Sequence, residues 1–305
     1  MSKILVVGSL NMDLVINTPK MPSLGETVLG SDFMTVPGGK GANQAVAIAK
    51  LGGEVRMIGC VGGDTFGNAL IANLNDNNVD TKNIKIVESS PTGIAIIVVY
   101  DGDIFIIVDP GANQYLTPKI VDEYEPLIKE SFLLVIQLEI PLPTVERAIS
   151  LAKRHNVKVL LNPAPACPLS DSLLSMVDIL IPNESECRSI TGVHIKNAND
   201  AKTAAKYLLS RGISQLIITL GADGVIYNKA DEIIYKPAHK VKVVDTTAAG
   251  DSFTAAIACA VSQNKSIDEA IEFANAVGGI TVTKMGAQTS LPFLYEVIEF
   301  MKFNP

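Results

Sequence analysis

The sequence predicts an α/β fold: a mostly parallel central sheet flanked by helices, with a small projecting β-sheet that forms a lid. Three observations carry this expectation. Short β-branched runs alternate with helix-patterned stretches along most of the chain, as parallel βαβ units require. One of those runs, LLVIQ at 133–137, reads as a strand buried on both faces. Two further segments, 13–35 and 92–109, are extended around turns and feed no helix.

In chain order, Ile4–Val7 is the first strand, 42–51 a helix, 55–61 a strand and 65–75 a helix. After LLVIQ, residues 143–154 place Val145, Ala148, Ile149 and Ala152 on one helical face, and Lys158–Leu161 returns as a strand. That order is a parallel crossover. The helical stretch 201–209, followed by LIIT at 216–219, repeats it. Within the second irregular segment, GIAIIVVY, the triplet Asp101, Gly102 and Asp103, and then IFIIVD form a strong hairpin signal. The small layer is either an antiparallel sheet edge or a lid over a ligand cleft. No repeat, low-complexity tract or long linker sets it apart, so residues 1–305 read as a single domain with the lid inserted at about 13–35 and 92–109.

Composition narrows the function classes. Hydrophobic residues make up 48% and charged residues 19% of the 305, with no Trp and 5% aromatics, so an aliphatic core is expected and a disordered or fibrous chain is excluded. Lys and Arg total 25 against 32 Asp and Glu, a net charge of -7 that repels polyphosphate backbones. With no basic run and few aromatics for base stacking, no nucleic-acid partner is expected. Cys60, Cys167, Cys187 and Cys259 stand far apart without a CxxC pair, which points to a reduced, cytoplasmic chain with no zinc site. Asn11 and Asp13 interrupt the N-terminal ILVVGSL before a signal-peptide core can form, and the longest apolar runs are strand-sized. No membrane span is expected. His155, His194 and His239 are isolated, and no Ser/His/Asp ordering supports nucleophilic hydrolysis.

Two segments carry chemistry. PGGKGANQA at 37–45 sets glycines around Lys40 at the entry to an Ala-rich helix, so backbone must approach something closely there. A tight strand-to-helix connection would use those glycines too. Lys40 and Asn43 add donors and an acceptor suited to a polyhydroxylated ligand, and the P-loop pattern is absent. In DTTAAGDSFTAAIACAV at 245–261, a turn of small residues opens a long apolar helix near Gly250. The N–H groups of Ala248, Ala249, Gly250 and Asp251 would be unpaired at that helix start, an anion site with a carboxylate beside it. Asp251 could be an ordinary first-turn carboxylate; beside an anion pocket it is also where phosphoryl transfer needs its base. NESE at 183–186 could simply cap a helix, and TLGADG at 219–224 could be a strand end with a glycine turn.

GSLNMDL at 8–14, GGKGANQA at 38–45, NESE, TLGADG and DTTAAGD at 245–251, in that order, resemble the ribokinase-like carbohydrate kinases over nearly the whole chain. The resemblance implies an ATP-dependent sugar kinase that phosphorylates the 5-hydroxyl of D-ribose. It implies that Asn11 and Asp13 grip sugar hydroxyls, that Gly39, Lys40 and Asn43 hold the other side, and that Glu139 lines the cleft. Asp251 would be the general base, with Ala248, Ala249 and Gly250 forming the anion hole. Asn183, Thr219, Gly221, Gly224, Gly250 and Asn275 would surround ATP, with Glu186 organising Mg2+ and its waters. The family also uses K+, matched here by Asp245, Thr247, Thr281, Lys284, Gly286 and Ser290, several through main-chain carbonyls. A homodimer through the β lid is implied as well.

One departure is visible: the commoner family pattern has Gly where this chain has Ala248, which is acceptable in a pocket of N–H groups if its φ is negative. Deoxyribose, another sugar or a nucleoside stays open as the acceptor. A non-catalytic sugar sensor would be told by loss of the base or the anion pocket.

Overall fold

The computed structural model describes residues 3–101 and 103–304; Gly102 of the predicted hairpin turn lies outside them. Among the described residues the strands, in chain order, are β1 (Ile4–Val7), β2 (Asn11–Asn17), β3 (Ser31–Gly38), β4 (Val55–Gly62), β5 (Asp80–Val87), β6 (Gly93–Tyr100), β7 (Asp103–Asp109), β8 (Leu133–Ile136), β9 (Lys158–Leu161), β10 (Ile179–Leu180), β11 (Gln215–Thr219), β12 (Val225–Lys229) and β13 (Glu232–Lys236). Nine form one sheet in the order β13-β12-β11-β10-β9-β8-β1-β4-β5. It is parallel from β11 through β5, and only β12 and β13 run antiparallel at its edge.

The unbroken apolar strands are buried on both faces, as their composition requires. In β1, Ile4 and Val6 face one core and Leu5 and Val7 the other; β8 divides the same way, Leu133 and Val135 against Leu134 and Ile136. The first core lies under the helices Lys40–Lys50, Ala249–Ser262 and Ile267–Thr281. The second lies under Leu142–Arg154, whose predicted stripe of Val145, Ala148, Ile149 and Ala152 is fully buried. Burying each larger aliphatic chain there contributes about 1.5–3 kcal/mol.

The two irregular segments form a separate four-stranded sheet in the order β3-β2-β6-β7. Its outer pairs are antiparallel, as the hairpin signal predicts, but the central pair β2/β6 is parallel, with Asn11 opposite Gly93. The layer is therefore not an antiparallel edge of the main sheet. One strand of each hairpin-like pair meets its counterpart across a long stretch of intervening chain, which local patterning does not reveal. Phe33, Met34, Phe105, Ile106 and Ile107 of this sheet are exposed.

The parallel strands all point their carboxyl ends toward one crevice, the place where open α/β sheets bind ligands. Ser9 follows β1, Glu139 follows β8, Asn162 follows β9, Asn183 follows β10, and Thr219 ends β11. No helix among the described residues is long and apolar enough to cross a membrane.

Candidate active site

The glycine pair of PGGKGANQA makes room for the chain's own β1–β2 connection. Gly39 has φ +87°, and a Cβ on it would lie 2.7 Å from the Asn11 nitrogen. A Cβ on Gly41 would lie 2.6 Å from the Ser9 nitrogen. With Gly39 as the cap, the helix begins at Lys40 rather than at 42, and its first turn faces the crevice. Glu139 ties the two segments together: its Oε2 accepts from Ser9 Oγ at 2.6 Å and from the Lys40 main-chain N–H at 3.0 Å. Asn11 is held by Asn113, whose Nδ2 donates to Asn11 Oδ1 at 2.8 Å.

A cavity of about 200 Å3 opens beside these groups. Lys40 lines it, and so do Asn183, Glu186 and Thr219 from the strand ends. The turn Ala248, Ala249 and Gly250 forms another wall, with Asp251 and Thr254 on the helix behind it. Segments far apart in sequence therefore converge on one space, as the phosphoryl-transfer reading requires.

At the helix start Ala248 has φ +60° and ψ 9°, the left-handed region. The condition of a negative φ is thus not met: the Ala249 N–H closes a turn onto the Thr246 carbonyl, and the third residue of that turn takes the left-handed conformation. Ala249 spends its N–H on the Thr246 carbonyl at 3.2 Å. Among the described residues the N–H groups of Ala248, Gly250 and Asp251 have no protein acceptor, so they are the donors available to an anion, those of the helix aided by its dipole.

Asp251 is buried, and both its oxygens accept amide hydrogens: Oδ2 from Asn43 Nδ2 and Oδ1 from Gln44 Nε2, each at 3.0 Å. Burial pushes its carboxyl above the usual range, opposed by Lys40 and the two amides. Burial, then Glu139 and Asp251, push Asp13 up to about 7, with Lys40 opposing. Glu186 is raised mainly by burial. Lys40 is itself half-buried, which disfavours its charge, yet Asp251, Glu139, Glu186 and Asp13 outweigh that and hold it protonated. One ammonium thus sits among carboxylates, a field that favours a cation-loaded anion over a bare one.

The other expected residues divide into groups. NESE is a capping box: Asn183 Oδ1 accepts from the Glu186 N–H and Glu186 Oε2 from the Asn183 N–H, both at 2.9 Å. It caps the helix and lines the cavity at once. Thr219 ends β11, Gly221 begins a short turn, and Gly224 has φ +101° where a Cβ would meet the 236–238 backbone. Asn275 reaches the Pro237 carbonyl at 3.3 Å. Gly221, Gly224 and Asn275 lie outside the cavity wall, as do Asn11, Asp13, Gly39, Asn43 and Glu139.

The segment around Asp245 forms its own clasp. Asp245 Oδ1 accepts from the Thr247 N–H and Oγ1, and Oδ2 from the Gly286 N–H at 2.8 Å. Thr281 and Ser290 are fully buried with hydroxyls bonded to the Val277 and Ala287 carbonyls. The Lys284 ammonium pairs with Glu296 at 2.6 Å, so only its main chain can face a cation. Sequence reasoning missed Ser9, Gln44, Asn113, Gln137, Asn162 and Gln288. For four of them the available signal was position: Ser9, Gln137 and Asn162 follow apolar strands and Gln44 sits on an apolar helix, whereas Asn113 and Gln288 lie in turns that carry no such signal.

Known proteins resemble this chain along nearly its whole length. The chain is 42% identical over 298 residues to the ribokinase of Haemophilus influenzae, covering 97% of each. It is 36% identical over 303 residues to the deoxyribokinase of Salmonella typhi, covering 99% of each. Its fold matches the structure of Arabidopsis thaliana ribokinase complexed with ribose and ATP, with a TM-score of 0.93, 32% identity and 99% of each chain covered. The model of the pfkB family carbohydrate kinases matches residues 1–294, and the chain belongs to that family.

Proposed function

We propose that this chain transfers the γ-phosphoryl group of ATP to the 5-hydroxyl of D-ribose, giving D-ribose 5-phosphate and ADP. One observation carries the reading: the Asp251 carboxylate and the free N–H groups of Gly250 and Asp251 belong to one helix start that walls the same cavity as Lys40. As the ribose oxygen bonds to γ-phosphorus and the bond to ADP breaks, Asp251 takes the hydroxyl proton. The N–H groups and Lys40 hold the charge on the transferring oxygens. Asp13 and Asn11 receive the sugar hydroxyls, with Gly39, Lys40, Asn43 and Glu139 completing that side. Asn183, Thr219, Gly221, Gly224 and Asn275 receive the nucleotide.

The acidic setting of Lys40 fits Mg2+ arriving with the nucleotide, and Glu186 would hold its waters; the ion supplies neutralisation of phosphate charge. The all-oxygen donor set around Asp245, Thr247, Thr281, Lys284, Gly286 and Ser290 suits K+. We take residues 1–305 as one domain whose small sheet closes over the sugar, and its exposed apolar face supports a homodimer. A cytoplasmic location fits the scattered free cysteines.

The test is ADP release with ribose, ATP and Mg2+. Asp251→Asn is expected to keep the fold and nucleotide binding while lowering turnover by about a thousandfold or more. Near-normal turnover would reject the base. Faster turnover of deoxyribose than of ribose at equal concentration would reassign the acceptor and leave the mechanism standing.

A further inference from the structure

Gln44 is fully buried on the helix Lys40–Lys50, among Ala, Val and Ile residues of the first core. A buried amide must place both its ends. Its Nε2 donates to Asp251 Oδ1 at 3.0 Å and to Asn162 Oδ1 at 3.2 Å, and its Oε1 accepts from Gln137 Nε2 at 2.5 Å.

The direction of this chain is fixed by main chain. Asn162 Nδ2 donates to the Ile181 carbonyl at 2.9 Å, and a carbonyl can only accept. Asn162 therefore turns its oxygen to Gln44, which turns its NH2 group to Asn162 and to Asp251. Gln137 must in turn donate to Gln44, and its own Oε1 is left buried without a partner among the described residues. An orphan buried acceptor is unfavourable, yet flipping Gln137 would set two amide oxygens 2.5 Å apart. The fold keeps the orphan and with it a donor aimed at the carboxylate. On the opposite side Gln288 Nε2 donates to Asn43 Oδ1 at 3.1 Å, so Asn43 also presents its NH2 group to Asp251.

We infer that Gln44 is a positioning residue for the base: held by Asn162 and Gln137, its amide fixes the rotamer of Asp251 and favours the ionised carboxylate. The inference rests on Asp251 being the base. The charged groups that face Asp251 are Lys40, which favours its ionised form, and Glu139, Asp13 and Glu186, which oppose it. Burial opposes it further, so the charge of Lys40 and then the two amide donors, from Asn43 and Gln44, work against that burial.

The experiment is the pH profile of kcat in the full chain, saturated with ribose and MgATP. Gln44→Met keeps the volume and removes the donor; it should lower kcat by about 10- to 100-fold and raise the acid limb by about one pH unit or more, with both KM values nearly unchanged. Gln44→Glu fills the same space and sets a second carboxyl against Asp251, so the pair shares a proton and the limb should rise further. Gln137→Met removes the donor behind Gln44, should shift the limb in the same direction by less, and serves if Gln44→Met does not fold. Acid limbs that match the parent in the folded variants would overturn the inference, since a merely structural glutamine would change the amount of folded protein and not the limb. Asp251→Asn run alongside separates the two readings: full activity there removes the base assignment, whereas an inactive Asp251→Asn with unshifted Gln44 variants removes only the role of Gln44.

Discussion

A Cβ on Gly38 would lie 2.5 Å from the carboxyl carbon of Asp13, so the first glycine of the pair is the space that the Asp13 side chain occupies. The antiparallel register of β2 and β3, with Asp13 opposite Val36 and Asn11 opposite Gly38, builds that relationship into the small sheet. Gly38→Ala should therefore displace Asp13 and raise the ribose KM by about tenfold or more, with the ATP KM little changed. Steady-state kinetics with each substrate varied in turn checks it. A larger effect on ATP than on ribose would move Asp13 out of the sugar site.

The raised pKa of Asp13 makes a stability prediction. A group whose folded pKa lies above its unfolded value binds its proton more tightly in the folded state. Its stabilisation is complete below the unfolded value of about 4 and is lost as pH rises through about 7. Asp13→Asn cannot ionise, so without ligands it should melt a few degrees above the parent at about pH 8, with the gap closing toward about pH 4. The same variant should bind ribose far more weakly. Melting curves across that range test the claim, and an unchanged Tm at the alkaline end would refute the burial argument.

Much of the fold was legible because doubly buried strands need unbroken apolar runs: Ile4–Val7 and 133–137 are read directly from their residues. The parallel contact of β2 with β6 was not, since pairing Asn11 with Gly93 depends on where the intervening chain travels. Glycines and carboxylates of the site stood out because their chemistry is local. Gln44 did not, because its meaning lies in Asn162, Gln137 and Asp251, which are 118, 93 and 207 positions away. The backbone of Ala248 was not legible for a different reason: an alanine favours negative φ, and the closure of its turn overrides that preference.

Ala248 in the left-handed region costs about 1–2 kcal/mol relative to an ordinary backbone position. Ala248→Gly relieves that cost but loses about 0.5–1 kcal/mol to the greater freedom of the unfolded chain. A small net gain should result, a rise in Tm of about one or two degrees, with turnover within about threefold because the N–H donors stay in place. Ala248→Val should do the reverse and destabilise strongly, since a β-branched side chain is the worst fit for positive φ. Paired melting curves and kcat values decide it; a lower Tm for Ala248→Gly would mean that the turn carries no such strain.

The clasp of Asp245 on Gly286 yields the last prediction. Burial works against the Asp245 charge, but hydrogen bonds from Thr247 and Gly286 hold its carboxyl below the usual range, so it is anionic at neutral pH. It ties the loop after Thr281 to the segment that enters the Ala248 turn, and a K+ ion placed there would offset the carboxylate while leaving the turn in its closed form. Turnover and Tm should then both rise when KCl replaces choline chloride at constant ionic strength. Asp245→Asn should lose both responses, and turnover should fall by about tenfold or more because the clasp supports the Gly250 and Asp251 donors. Gly286→Ala should reproduce part of the loss, since its φ of +89° disfavours a side chain and a Cβ would run into the Thr289 hydroxyl. If the parent melts and turns over identically in the two salts, no K+ acts at this clasp, and any defect of Asp245→Asn belongs to the loop alone.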